Sequence, residues 1–121
     1  MPADVERELE TGSVAWADLT PARGREQSGR RPVVVVAGEG YLDVVTTLVL
    51  CVPVTTVDRG WPNHVRLTGG TGLTEPSWAM TEQIRTLARE RLTRVSGAVD
   101  ATTLRTVRTW LADFLDLASA R

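Results

Sequence analysis

The chain has 121 residues, enough for one domain with a single core and too few for two. Apolar content of 42% and charged content of 24% are ordinary for a soluble globular protein. A formal net charge of −1 gives no bulk electrostatic footprint for nucleic acid, so any basic site has to be local.

Asp4, Glu6, Glu8 and Glu10 oppose only Arg7, so residues 1–11 read as an acidic N-terminal extension to one domain spanning 12–121. Val14 and Trp16 alternate with smaller residues, which predicts a strand of about seven residues with Trp16 in the core. A polar loop covers 20–31. From Leu19 to Arg31, four arginines face Glu26 alone, a local charge of +3. Rigid strands presenting a cationic loop form a geometry suited to phosphate. Pro32 to Ala37 reads as the next strand, and Gly38-Glu39-Gly40 as a turn.

Residues 44–55 are dominated by β-branched side chains and predict a long central strand, with Pro53 marking a bulge or the end of pairing. Asp58 to Pro62 reads as an exposed loop carrying Trp61, and His64 to Leu67 as a half-buried strand. Gly69 to Gly72 breaks it. Short strands are expected at 76–80, 82–87 and 92–97. Asp100 is a good N-cap for a closing helix, whose stripe is Leu104, Val107, Leu111, Phe114, Leu115 and Ala118, with Trp110 at its edge. Five or six short strands and a terminal helix predict a mainly β fold, a compact antiparallel barrel with helical cover.

Several site types are excluded. One histidine and one cysteine cannot build a zinc cluster with ligand spacing. Gly69 to Gly72 lacks the lysine and helix of a phosphate loop, and no nucleophile elbow is present. Cys51 lies in an apolar run and reads as a buried hydrophobe, which fits a reducing cytoplasm. No segment reaches the roughly 18 apolar residues of a membrane span. The N-terminus has neither the basic start nor the apolar stretch of a signal peptide. All fourteen cationic residues are arginine, which fits either base composition or a need for planar phosphate forks. His64 reads as structural. An enzyme built from these residues works without metal or cofactor and without histidine. RNA allows this, because its 2′-hydroxyl is a nucleophile already held beside the phosphate it attacks.

The block from Gly12 to Pro32 resembles the opening signature of the MazF/PemK toxin family, small ribonucleases that cut RNA without a metal. Cys51 to Thr56 with Gly60-Trp61-Pro62, and Glu82 to Thr86, resemble later family blocks in the expected order. The resemblance implies an SH3-like antiparallel β-barrel with a C-terminal helix and short connecting helices. In the MazF branch, an arginine before the proline and a threonine ending the third strand form the catalytic pair. Those match Arg31 and Thr55 here. Arginine keeps its proton, so Arg31 is expected to stabilise the phosphorane and assist the leaving 5′-oxygen. The base stays open between Glu26, Thr55 through a water, and solvent. Arg23, Arg25, Gln27, Arg30, Trp61, Gln83 and Arg85 are the expected RNA-binding residues. The PemK branch instead uses a loop histidine and a late Arg-x-Asp pair. Here those positions hold Arg25, Met80 and Glu82, which favours the MazF assignment.

The resemblance further implies a cytoplasmic homodimer acting on single-stranded RNA. It implies a MazE-like antitoxin, through which alone the protein meets DNA, and no membrane. Rival readings are a gyrase-poison-like toxin of the same fold, or a non-catalytic RNA-binding relative.

Overall fold

The computed structural model describes residues 9–19 and 29–117. In chain order, the elements are β1 (Ser13–Asp18), β2 (Arg30–Val35), α1 (Glu39–Val44), β3 (Leu48–Thr55), β4 (His64–Arg66) and β5 (Trp78–Met80). A 3₁₀ turn (Thr81–Gln83), β6 (Arg85–Ala88), a second 3₁₀ turn (Arg89–Arg91), β7 (Leu92–Ala98) and α2 (Ala101–Phe114) follow. The strands form one antiparallel sheet in the order β4-β5-β3-β2-β1-β7, with β6 paired to the first half of β3. The expected mainly β architecture with a C-terminal helix is present. Seven strands replace the expected five or six, and among the described residues the sheet is not closed into a barrel.

Val33 to Val36 are all buried, and they alternate between two cores. Val33 and Val35 pack with Ala15, Val49, Cys51, Leu87 and Leu92. Val34 and Val36 pack with Val14, Val52, Val54, Val65, Val107 and Leu111 of α2. A strand covered on both faces reads as a continuous apolar run rather than an alternating one. β3 changes partner along one edge: Leu48 to Cys51 pair with β6, and Val54 and Thr55 with β5. Pro53 stands in the gap between those ladders, where a missing N–H costs no bond to either.

Three expectations are corrected. Gly38-Glu39-Gly40 leads into helix α1 instead of a simple turn, and the long strand begins at Leu48 instead of 44. One buried side chain accounts for both. Arg89 donates to the carbonyls of Leu42 (2.7 Å) and Val45 (2.7 Å) at the end of α1, and to that of Leu48 (2.9 Å) at the start of β3. It thereby supplies the partners that helix-end carbonyls lack. Third, the strand expected at 82–87 is split, with Thr81–Gln83 in a 3₁₀ turn.

Asp100 caps α2 as expected. Its Oδ1 accepts from the Thr103 N–H (2.8 Å), and its Oδ2 accepts from the Thr68 hydroxyl (2.7 Å). The bonds from Thr68 and Thr103 hold this carboxyl below the ordinary Asp value of 3.8. A lowered native pKa adds stability that is present above the ordinary value and is lost as pH falls through the native one. Asp100→Ala should therefore lower Tm at pH 7, and the gap to wild type should shrink as the pH is taken below 3.8. A gap of constant size in thermal melts would contradict the cap. Along α2, Thr103, Val107 and Leu111 are buried. The expected stripe does not stay covered, because Phe114 is 48% exposed and Leu115 60%. Ala118 lies outside the described residues.

The loop after β4 lies directly on β7. A Cβ on Gly97 would meet the Gly70 carbonyl and the Thr71 backbone, and one on Gly72, whose φ is 74°, would meet the Ser96 carbonyl. The contact is fastened by Ala98 N–H to the Gly70 carbonyl (3.0 Å) and the Ser96 hydroxyl to the Thr71 carbonyl (2.8 Å). Gly97→Ala should destabilise by about 2 kcal/mol or more, since backbone on both sides has to move. Gly40→Ala meets no atom within 4 Å and sits in α1, so it should be neutral or slightly stabilising. Urea midpoints of the two variants test this, and equal midpoints would contradict the packing.

Candidate active-site cleft

A cleft of about 390 Å³ opens where β2 begins and β3 ends. Arg30, Arg31 and Pro32 come from β2, Val54 and Thr55 from β3, and Thr56 follows them. Trp16 of β1 and Arg94 of β7 supply one flank, and Gly72 to Glu75 with Ser77 the other. Strand register assembles the two residues expected to be catalytic. The β2–β3 ladder ends at Val33 opposite Pro53, and Arg31 and Thr55 lie two residues beyond it on their strands, both in the cleft lining. Side chains two apart along a strand share a face, so neither Arg31 nor Thr55 needs a loop to hold it.

Thr55 is buried. Its Oγ1 accepts from the Val57 N–H (3.1 Å), which fixes the oxygen and leaves the hydroxyl hydrogen to donate. Three arginines (Arg30, Arg31 and Arg94) line the cleft against Glu75 alone among the described residues. The near-neutral protein therefore does carry a local cationic site. Like charges gathered around a cleft focus their field on an anion.

The loop carrying Arg23, Arg25, Glu26 and Gln27 lies outside the described residues. Its two roots are joined by the Leu19 N–H donating to the Gly29 carbonyl (3.0 Å), one residue from Arg30 of the lining.

Trp61 and Gln83 are not in the cleft lining. They belong to a second cluster, around His64 and Glu82. The His64 Nε2 lies 3.0 Å from Glu82 Oε1 and 3.1 Å from Oε2. Asn63 donates to Glu82 Oε1 (2.8 Å), and Gln83 donates to Oε2 (3.3 Å). Burial pushes the Glu82 carboxyl up, but bonds from His64, its own backbone N–H and Gln83 outweigh this, so it sits below the usual range. Trp61 is 49% exposed, with its ring centroid 4.7 Å from that of His64. His64 is thus buried and bonded, and its Nδ1 has no partner among the described residues. Met80 is fully buried and Glu82 is held by its neighbours, so neither matches the acid–base role of the PemK branch.

Arg85 is also absent from the lining. It lies on β6 opposite Cys51, whose thiol burial pushes up to about 12 while the Arg85 charge pulls the other way. Cys51 is the inert hydrophobe expected.

Trp16 and Arg94 are among the lining residues that the sequence does not mark as part of a site. Trp16 was expected in the core, yet it is only half-buried and lines the cleft, its indole N–H buried and without a partner among the described residues. The Arg94 guanidinium carbon lies 5.0 Å from the centroid of that indole. Arg94 sits in a strand without clean alternation, Leu92 and Val95 falling on opposite parities, and nothing in the sequence pairs it with Trp16.

Residues 10–115 match the family described as PemK-like, MazF-like toxin of type II toxin-antitoxin system. The chain is 38% identical over 117 residues to endoribonuclease MazF9 of Mycobacterium tuberculosis, covering 92% of this chain and 99% of that one. It is 36% identical over 77 residues to endoribonuclease toxin MazF of Escherichia coli, covering 64% and 66%. Among solved structures, MazF of Deinococcus radiodurans is similar with a TM-score of 0.76 and 31% identity, covering 89% of this chain and 96% of that one. A mycobacterial endoribonuclease in complex with its cognate antitoxin is similar with a TM-score of 0.71 and 25% identity, covering 93% and 97%.

Proposed function

The chain belongs to the PemK/MazF toxin family of type II toxin–antitoxin systems, and from that premise we propose that it cuts single-stranded RNA by transesterification without a metal. The observation that carries this reading is that Arg31 and Thr55 line one arginine-rich cleft. The 2′-oxygen attacks phosphorus, the P–O5′ bond breaks, and the products are a 2′,3′-cyclic phosphate and a 5′-hydroxyl. Arg31 donates two parallel bonds to the phosphorane oxygens, whose charge grows in the transition state. Thr55 donates its hydroxyl to the same group. The 2′-hydroxyl proton passes to Glu26, to a water held by Thr55 or to solvent, and the leaving 5′-oxygen gains one.

RNA contacts from Arg23, Arg25, Gln27 and Arg30 would extend the cleft along the strand. Trp61, Gln83 and Arg85 lie off the lining and would meet only more distant nucleotides. The protein works in the cytoplasm as a homodimer, with RNA crossing between subunits. The exposed Phe114, Leu115 and Leu117 favour a partner surface at the end of α2. A MazE-like antitoxin opposes the activity, as the antitoxin complexes among similar structures suggest.

Incubating the purified protein with mixed RNA in excess chelator, then mapping the new ends, tests the reading. Cleavage with cyclic phosphate ends is expected. Cleavage that stops in chelator, or none from the purified protein, would overturn it.

A further inference from the structure

We infer that Arg94, seated on the indole of Trp16, binds a phosphate of the RNA next to the one being cut. The inference rests on the ribonuclease reading above. Trp16 faces Pro32 of β2 on one side and Arg94 of β7 on the other, so the indole spans the floor between them. The guanidinium carbon lies 5.0 Å from the ring centroid, within the range where the ring face attracts a cation. A guanidinium held over a ring face keeps N–H donors for other partners. Among the described residues, no carboxylate or carbonyl accepts from Arg94, although it lines the cleft. An exposed guanidinium held at a cleft's edge with unused donors is a site for an oxyanion.

Its place in the sheet says which oxyanion. Arg94 and Pro32 lie on β7 and β2, with β1 between them, so about 10 Å separates their backbones. Arg31 comes from the β2 side of the cleft and Arg94 from the β7 side. One phosphate at Arg31 and Thr55 leaves Arg94 for the next phosphate along the strand. Trp16 acts through Arg94 and is a positioning residue. The Arg66–Trp78 pair, with the guanidinium carbon 5.4 Å from the ring, has the same geometry, but neither residue lines the cleft. It provides an internal control.

The test uses the full chain and an RNA oligonucleotide whose cut site has been mapped. Wild-type cleavage comes first, and its absence would refute the ribonuclease reading instead of this one. Given cleavage, Arg94→Ala should raise KM about tenfold with kcat within about threefold, because one charge-assisted contact is lost from ground and transition states alike. The slope of log KM against log salt should fall by about one. Arg66→Ala should leave both unchanged. Neutral methylphosphonate linkages are then placed singly on either side of the cut. At one flank the neutral linkage should raise the wild-type KM by a similar factor and add nothing in Arg94→Ala. Trp16→Leu should mimic Arg94→Ala in KM, with no further loss in the double variant. Trp16→Phe keeps a ring and removes the unpartnered N–H, so its melting point should not fall and its KM should rise less. An unchanged KM in Arg94→Ala would overturn the inference, as would an equal rise in Arg66→Ala. Additive effects at every flanking linkage would do the same.

Discussion

Arg31→Ala should reduce RNA cleavage at least about 10²-fold while the fold survives. The magnitude is that of removing one preorganised donor aimed at developing oxyanion charge. The fold should survive because Arg31 is an exposed residue at the start of β2, ahead of the buried valines. Arg31→Lys should recover only part of the loss, since an ammonium keeps the charge but not the two parallel donors. The effect should appear in kcat, because the charge to be stabilised grows between ground and transition state. Single-turnover rates on a short RNA, beside melting curves, check both halves. Activity within threefold of wild type at an unchanged melting point would remove Arg31 from the chemistry.

Substituting deoxyribose for ribose on the 5′ side of the cut should abolish cleavage, by more than about 10⁴-fold. This follows from losing an internal nucleophile whose effective concentration far exceeds that of any external one. The same oligonucleotide should still bind, since its phosphates are intact, and should inhibit cleavage of the unmodified RNA competitively. Cleavage of the deoxy substrate would mean attack by water, and the cleft would need a base able to activate one. Together the two substitutions separate charge stabilisation, which belongs to the protein, from the nucleophile, which belongs to the substrate.

The sequence made the apolar run at β2, the strand of β3, the cap at Asp100 and most of α2 legible, because each rests on local patterning. Helix α1 was hidden for a physical reason: Arg89, some forty residues away in the chain, holds its last carbonyls. Trp16 was misread because alternation gives the face of a strand and not how far its cover extends. Val14 and Val34 of that face pack in the core with α2, while Trp16 and Pro32 line the open cleft. Arg94 could not be found by counting. The pairing of β1 with β7 shifts register between Val14 and Ala15, and again between Trp16 and Ala17. Trp61 and Gln83 were expected to bind RNA, but they lie off the cleft lining: β4 and β5 pair His64 with Met80, and the polar residues flanking that pair gather around Glu82. The pairing of Arg31 with Thr55 came from resemblance, and both residues line the one cleft.

A strand that buries the same side chain on both faces is nearly blind to its own alignment. Where one face is solvated, sliding by one residue turns the apolar set outward and is heavily disfavoured. Val33 to Val36 fill both cores alike, so a slid β2 would still offer valine to each. The prolines break that degeneracy. Pro32 lies opposite Trp16 and Pro53 opposite Val33, and a ring without an N–H fits only where the ladder asks for no donor. A slip of one residue would move Pro32 out of such a place and carry Arg31 away from Thr55. The ring that fixes the register of β2 therefore also disfavours a well-packed but misaligned chain, one that would lack the means of cutting RNA.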